Sequence, residues 1–141
     1  MSQFPDYYYK QSAVIPVRMH AETLQVLMIS SRNKSRWIIP KGIVEPELSP
    51  ADSAAKEALE EAGIEGRVLP ESIGVFHYEK WGGVCVAEVF VMRVEKVQDH
   101  WLESFRDRLW LPLEEAAQRV REEALRALIR QVPEFLARVD P

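Results

Sequence analysis

One segment restricts this chain more than any other: residues 49–63, SPADSAAKEALEEAG, read as a helix with both ends marked. Ser49 is a good N-cap, Pro50 suits the first helical position, and Asp52 completes a pattern close to a capping box. Gly63 is a natural stop just past the last turn. With the ends placed, the faces follow. At about 100° per residue, Ala55, Ala58, Leu59 and Ala62 share one stripe, and Glu57, Glu60 and Glu61 gather opposite. The acidic face has a local cost: Glu57 and Glu61 are an i,i+4 like-charge pair, and Glu60 and Glu61 lie at the end where the helix dipole disfavours anions. A solvated face partly relieved by Lys56–Glu60 would account for it. Three carboxylates on one face are also what a hard divalent cation takes as ligands. The helix alone leaves both readings open.

The flanks supply the rest of the fold. SAVIPVRM and TLQVLMIS read as strands, RWIIP as a third short run, and PKG as a turn opening a loop to Leu48. Beyond the helix, SIGVFHYEK and GVCVAEVFVMRVEKV read as a hairpin joined near Gly82–Gly83, and RLWLPL as another strand. Helices are expected over residues 113–120 and 122–136, the second with a stripe of Leu125, Leu128, Ile129 and Val132 and an interruption at Pro133. Strands with helices at separated points make the fold α+β, a layered α/β/α sandwich. With no repeat or linker, one domain over 1–141 is expected, long enough to bury a core.

Composition then removes functions. The longest apolar runs fall far short of the roughly 20 residues of a membrane span, so no membrane is expected as a partner. The start has no basic stretch leading into an apolar one, which reads as no signal peptide. Cys85, the only cysteine, rules out an internal disulfide framework and a multi-cysteine zinc site, and fits a cytoplasmic location. A net charge of −4 with no basic stripe argues against nucleic acid, and RNA-end processing with it, as a target. Small basic clusters at Arg32–Lys34–Arg36 and Arg106–Arg108 read as solvated surface on charge alone. His20, His77 and His100 stand apart without catalytic spacing, Cys85 sits in an alternating strand, and Trp81, Trp101 and Trp110 read as packing more readily than as stacking on a base.

Context breaks the tie over the helix. The stretch GIVEPELSPADSAAKEALEEAGI, residues 42–64, resembles the box of the Nudix hydrolases, with Gly42, Glu57, Ala58, Glu60, Glu61, Gly63 and Ile64 at the family's spacings. SSRNKSRWIIPKG looks like the approach to that box, and HWLESF…RLWLPLEEA resembles the diphosphoinositol polyphosphate and diadenosine polyphosphate branch. Two positions depart: Leu48 stands where the family has a glutamate, with Glu47 a possible substitute, and Lys56 where it has an arginine.

The resemblance implies a Nudix-type sandwich with a mixed sheet and an enzyme that cleaves a diphosphate linkage with Mg²⁺ (or Mn²⁺). It makes Glu57 and Glu61 the principal metal ligands and Glu60 the next, all three catalytic, with the Lys41 carbonyl as a further ligand. Glu57 would also help activate water. Glu103 is the candidate for a distal carboxylate ligand, and Glu45 is a weaker one. Arg36 and Lys41 are placed to hold phosphate oxygens, with Arg32 a further possibility. The expected partner is a phosphorylated small molecule: a dinucleoside polyphosphate first, a diphosphoinositol phosphate next, a modified nucleotide still open. The competing expectation, resting on Leu48 and Lys56, is a Nudix fold kept as a binding module without turnover.

Overall fold

A computed structural model describes residues 9–80 and 82–141. The two apolar runs near the start become β1 (Tyr9–His20) and β2 (Thr23–Ser30), an antiparallel hairpin in register from Val17–Val26 to His20–Thr23. Beyond Val17 and Val26 the strands part. The fork is filled by β3 (Trp37–Ile38), paired with β2, and β4 (Lys41–Ile43), paired with β1. The sequence reading made PKG a turn, and here the structure differs. An open fork exposes backbone donors and acceptors on β1 from Gln11 to Ala13, and the segment Lys41–Ile43 satisfies them as a strand.

β5 (Ile64–Val68) follows the first helical region; its interrupted IEGRV pattern gave no strand signal, and only pairing with β7 reveals it. The expected hairpin is present as β6 (Gly74–Lys80) and β7 (Gly83–Val97). β7 runs parallel to β1 from Tyr9–Cys85 to Val17–Arg93, while β8 (Arg108–Pro112) pairs antiparallel with β2. The result is one mixed eight-stranded sheet.

Strand alternation sorts the core onto two faces. Ala13, Ile15, Val17, Val26, Met28, Val89 and Val91 face one side; Val14, Leu27, Ile29, Phe90 and Met92 face the other. α2 (Leu113–Arg119), α3 (Glu123–Arg130) and α4 (Val132–Val139) cover the first side, with Leu125, Leu128, Ile129 and Val132 buried as expected. The break falls at Gln131, and Pro133 sits in the first turn of α4, where a missing N–H is tolerated.

α1 (Pro50–Glu57) covers the second side and continues without a gap into a π-helical turn, Ala58–Ala62. Its buried stripe is Ala54, Ala58 and Ala62; Ala55 is only partly buried and Leu59 is 39% exposed, so the sequence reading centred the face about one residue too far round. Alanines at i,i+4 spacing let the helix backbone lie close on the sheet, and the widened final turn departs from the uniform rotation assumed. Cys85 is buried core. Among the described residues no helix is long and apolar enough to cross a membrane.

Candidate active site

The site forms at the fork, where β4 meets the helix. Val14 N–H donates to the Pro40 carbonyl (3.0 Å) and Val44 N–H to that of Lys10 (3.1 Å). These bonds make Ala13–Lys41 a non-hydrogen-bonded pair of the β1–β4 ladder. The amide and carbonyl of Lys41 therefore turn away from β1. The amide donates to Glu61 Oε1 at 3.2 Å, and the carbonyl faces the same way without a claim on it from β1. At the next residue, Gly42, a Cβ would overlap the Glu57 carboxylate. Glycine here is a matter of room: it lets the acid lie on the backbone of β4.

The helix end is tied by polar contacts. Gly63 takes the left-handed conformation (φ 65°), and a Cβ there would lie 2.7 Å from Trp101. Trp101 Nε1 donates to the Glu61 carbonyl at 3.0 Å, and Arg108 Nη1 to the carbonyls of Ala62 (3.0 Å) and Gln98 (2.9 Å). Arg108 also stacks on the Trp101 ring at 3.8 Å. Carbonyls that the last turn leaves open are thus capped by an indole and a cation, which oppose the negative end of the helix dipole.

Electrostatically this corner is strained. Burial is the largest effect on Glu57, and with the charges of Glu61 and Glu60 and a hydrogen bond to Glu61 it pushes the Glu57 carboxyl up to about 8. Burial also raises Glu61, against the pull of Arg106 and the Lys41 amide. Lys41 is lowered by burial, opposed by the nearby charges of Glu61 and Glu122. Two neighbouring acids whose charged forms burial disfavours are a fit for a divalent cation. Among the described residues no three His, Cys, Asp or Glu side chains stand together as a ready cage. The fit is therefore to an ion that completes its coordination from water and phosphate oxygens, as Mg²⁺ does.

Glu57 and Glu61 lie in the wall of an open cleft of about 860 Å³. Its other charged lining is mostly cationic: Arg32, Arg36, Lys41, Lys80, Arg106 and Arg121, against Glu45. The NUDIX domain model matches residues 9–132. The chain belongs to the Nudix family. Mouse diphosphoinositol polyphosphate phosphohydrolase 3-alpha is 35% identical over 115 residues, 79% of this chain and 69% of that protein. Phosphohydrolase 2 of the same name from Rattus norvegicus is 36% identical over 110 residues, 76% of this chain but 60% of that protein, so this chain spans under two thirds of it. The Caenorhabditis (C. elegans) Ap4A hydrolase superposes with a TM-score of 0.77 at 22% identity, covering 92% of this chain and 98% of that one. The NUDIX domain of Shewanella oneidensis NrtR, in complex with ADP ribose, gives a TM-score of 0.68 at 17% identity, covering 94% and 90%. As a Nudix hydrolase, this chain is an enzyme of the class that acts on phosphoanhydride bonds.

Of the Nudix box acids, the fold brings Glu57 and Glu61 together and into the cleft. Glu60 is not part of the lining; it stands 3.8 Å from Lys56. Lys56 makes closer contacts with Glu45, at 2.8 and 2.9 Å, so the residue replacing the family's arginine ties the loop to α1. That pairing occupies Glu45. Leu48 is half-buried, Glu47 is exposed, and neither lines the cleft, which leaves the substitution of Glu47 for the missing glutamate without geometric support. Glu103 is near but held back, its Oε1 taken by Arg106 at 2.9 and 3.0 Å and its amide bonded to the Glu60 carbonyl.

Sequence reasoning missed Arg106. It is not solvated surface: it is 6% exposed and reaches the Ser30 carbonyl at 2.9 Å. Only its spacing three residues after Glu103 hinted at the pair. Gln11 and Tyr78 were missed as well. They share a hydrogen bond from the Tyr78 hydroxyl to Gln11 Oε1 in the cleft wall, where Lys41 Nζ lies 5.2 Å from the tyrosine ring. A polar Gln–Ser pair opening an apolar strand was the available signal. Arg36 and Arg32 both line the cleft, Arg36 partly buried and Arg32 exposed. Trp101 packs at the helix end, Trp110 lies under Arg18 at 4.1 Å, and Trp81 is outside the described residues. His20, His77 and His100 are all exposed and off the cleft.

Proposed function

We propose that this Nudix hydrolase cleaves a phosphoanhydride bond in a multiply phosphorylated small molecule, with Mg²⁺ (or Mn²⁺) bound at Glu57, Glu61 and the Lys41 carbonyl. The observation that carries the reading is the Glu57 carboxylate seated on Gly42, in contact with Glu61, at the wall of a cationic cleft. The ion, when bound, supplies charge neutralisation at the diphosphate and acidifies water. The chain's own residues do the remainder. Gly42 and the Lys41 amide orient the two carboxylates, Glu57 takes a proton from the attacking water, and Arg36 and Lys41 hold phosphate oxygens in charge-assisted bonds. Glu60 and Glu103 support from behind: one through Lys56, the other through Arg106.

The lining also orders the substrates. Six cations against one aromatic ring, Tyr78, among the described lining residues favour dense phosphate over base stacking. A diphosphoinositol polyphosphate accordingly moves ahead of a dinucleoside polyphosphate, the order opposite to the one the sequence suggested. The experiment is product release from both substrates and from ADP-ribose, with Mg²⁺ and with excess chelator, in the parent and Glu61→Gln. Metal-dependent release in the parent and loss of most turnover in a folded Glu61→Gln are expected. Turnover that survives chelator would sink the metal reading. Binding of every substrate without product would leave a Nudix-fold binding module.

A further inference from the structure

Two arginines of the cleft wall are held in opposite ways. Arg106 has its guanidinium committed, with Nε and Nη2 on Glu103 and Nη1 on the Ser30 carbonyl. Arg36 does not. Its Nη1 stands 3.6 Å from Glu122 Oε2, beyond hydrogen-bond reach, so charge alone joins them. The pair links the loop before β3 to the turn before α3. Glu122 is an odd occupant of that turn. It is the N-cap of α3 yet makes no side-chain capping bond, where Ser, Thr, Asp or Asn would cap well. Its side chain is only 15% exposed and lies in a cationic neighbourhood, with its charge felt at Lys41 alongside those of Arg36 and Lys80.

We propose that Glu122 is a counter-anion set beside the cleft wall, standing in for a substrate phosphate at Arg36 and displaced when that phosphate arrives. The inference rests on the cleft being a phosphate site and names the group it selects: a phosphate beyond the scissile diphosphate. A phosphate offers Arg36 short bidentate bonds that a carboxylate at 3.6 Å does not. A ligand of low charge gains too little to dislodge Glu122. Selection therefore works by competition as well as by attraction.

The test is calorimetric titration of the folded chain with inorganic tripolyphosphate and with orthophosphate, in excess chelator so that turnover plays no part. Glu122→Gln should bind tripolyphosphate several-fold tighter and narrow its advantage over orthophosphate. The gain should vanish in the Glu122→Gln, Arg36→Gln double variant. Should Glu122→Gln fail to fold, Glu122→Asp carries the test: aspartate caps a helix better, and its shorter arm withdraws the carboxylate from Arg36, so tighter binding is again expected. Equal or weaker binding in a folded variant overturns the proposal, as does a gain that survives loss of Arg36. Failure of every substrate to hydrolyse would sink the proposed function and leave this binding result standing.

Discussion

The two helical layers are attached to the sheet by different physics. Behind the sheet, α2, α3 and α4 bury long side chains, Leu125, Ile129, Val132, Phe135 and Leu136, against Ile15, Met28 and Phe76. In front, α1 and its π-turn bury little more than Ala54, Ala58 and Ala62. Apolar area stabilises the rear layer at roughly 25 cal/mol per Å². The front layer relies on placement: the Ser49 cap on Asp52 N–H (3.1 Å), the Lys41 amide on Glu61, and Trp101 and Arg108 on the final carbonyls. A thin apolar seam lets the helix approach β4 closely enough for Glu57 to lie on Gly42. Stability and the geometry of the proposed site are thus concentrated on opposite faces of one sheet.

Substitution on each face should break that contrast if it is wrong. Gly42→Ala forces Glu57 off its seat, and displacement of a catalytic group by about an ångström can lower kcat roughly 100-fold. Steady-state kinetics beside a melting curve will show this: turnover should collapse with a small change in melting temperature. Ile129→Ala is the mirror case. It leaves a cavity in the rear layer and should remove about 2–5 kcal/mol of stability in denaturant titrations, while kcat of the folded fraction holds. A Gly42→Ala protein with normal turnover, or an Ile129→Ala protein of normal stability, would erase the distinction.

A third expectation concerns pH. Glu57 is raised from 4.5 to about 8 by burial and its acidic neighbours. Through that interval the folded state holds a proton that the unfolded chain has lost. The group's contribution to stability is therefore greatest below about 4.5 and declines as pH rises towards about 8. Melting temperature in chelator should carry this fall, and Glu57→Gln should remove it. Divalent cation should flatten the slope, because bound positive charge favours the ionised pair. A slope unchanged by Glu57→Gln would place the strain elsewhere.

The smallest effect tests the ties at the helix end. Trp101→Phe keeps the ring against Gly63 and removes the bond to the Glu61 carbonyl, which should lower stability by about 1 kcal/mol. Turnover should fall by more than the stability loss explains, since the same turn carries Glu61. Loss of stability alone, with kcat intact, would mean that the end of the front layer is held without being aimed.

Much of this was legible in the chain because its causes are local. Ser49, Pro50 and Gly63 act on the backbone within a turn of themselves, so the helix and its ends could be read directly, and the alternation of Val14 with Ala13 and Ile15 dictates two buried faces before any partner is known. The spacing of Glu57 and Glu61 also puts two acids on one side of a helix whatever it packs against. Other features had no local cause. Lys41–Ile43 is a strand only because β1 and β2 diverge and leave an edge to be paired. Gly42 matters for what stands above it, the Glu57 carboxylate, which belongs to another element. Arg106 looked like one more surface cation until the fold set it between Glu103 and Ser30, and Glu122 gained a meaning only from its pairing with Arg36 on a distant segment. Short-range sterics and hydrogen bonding determined the elements and the acids they carry. Desolvation and long-range charge, which exist only once distant segments meet, decided which of those acids are strained and which cations remain available to a ligand.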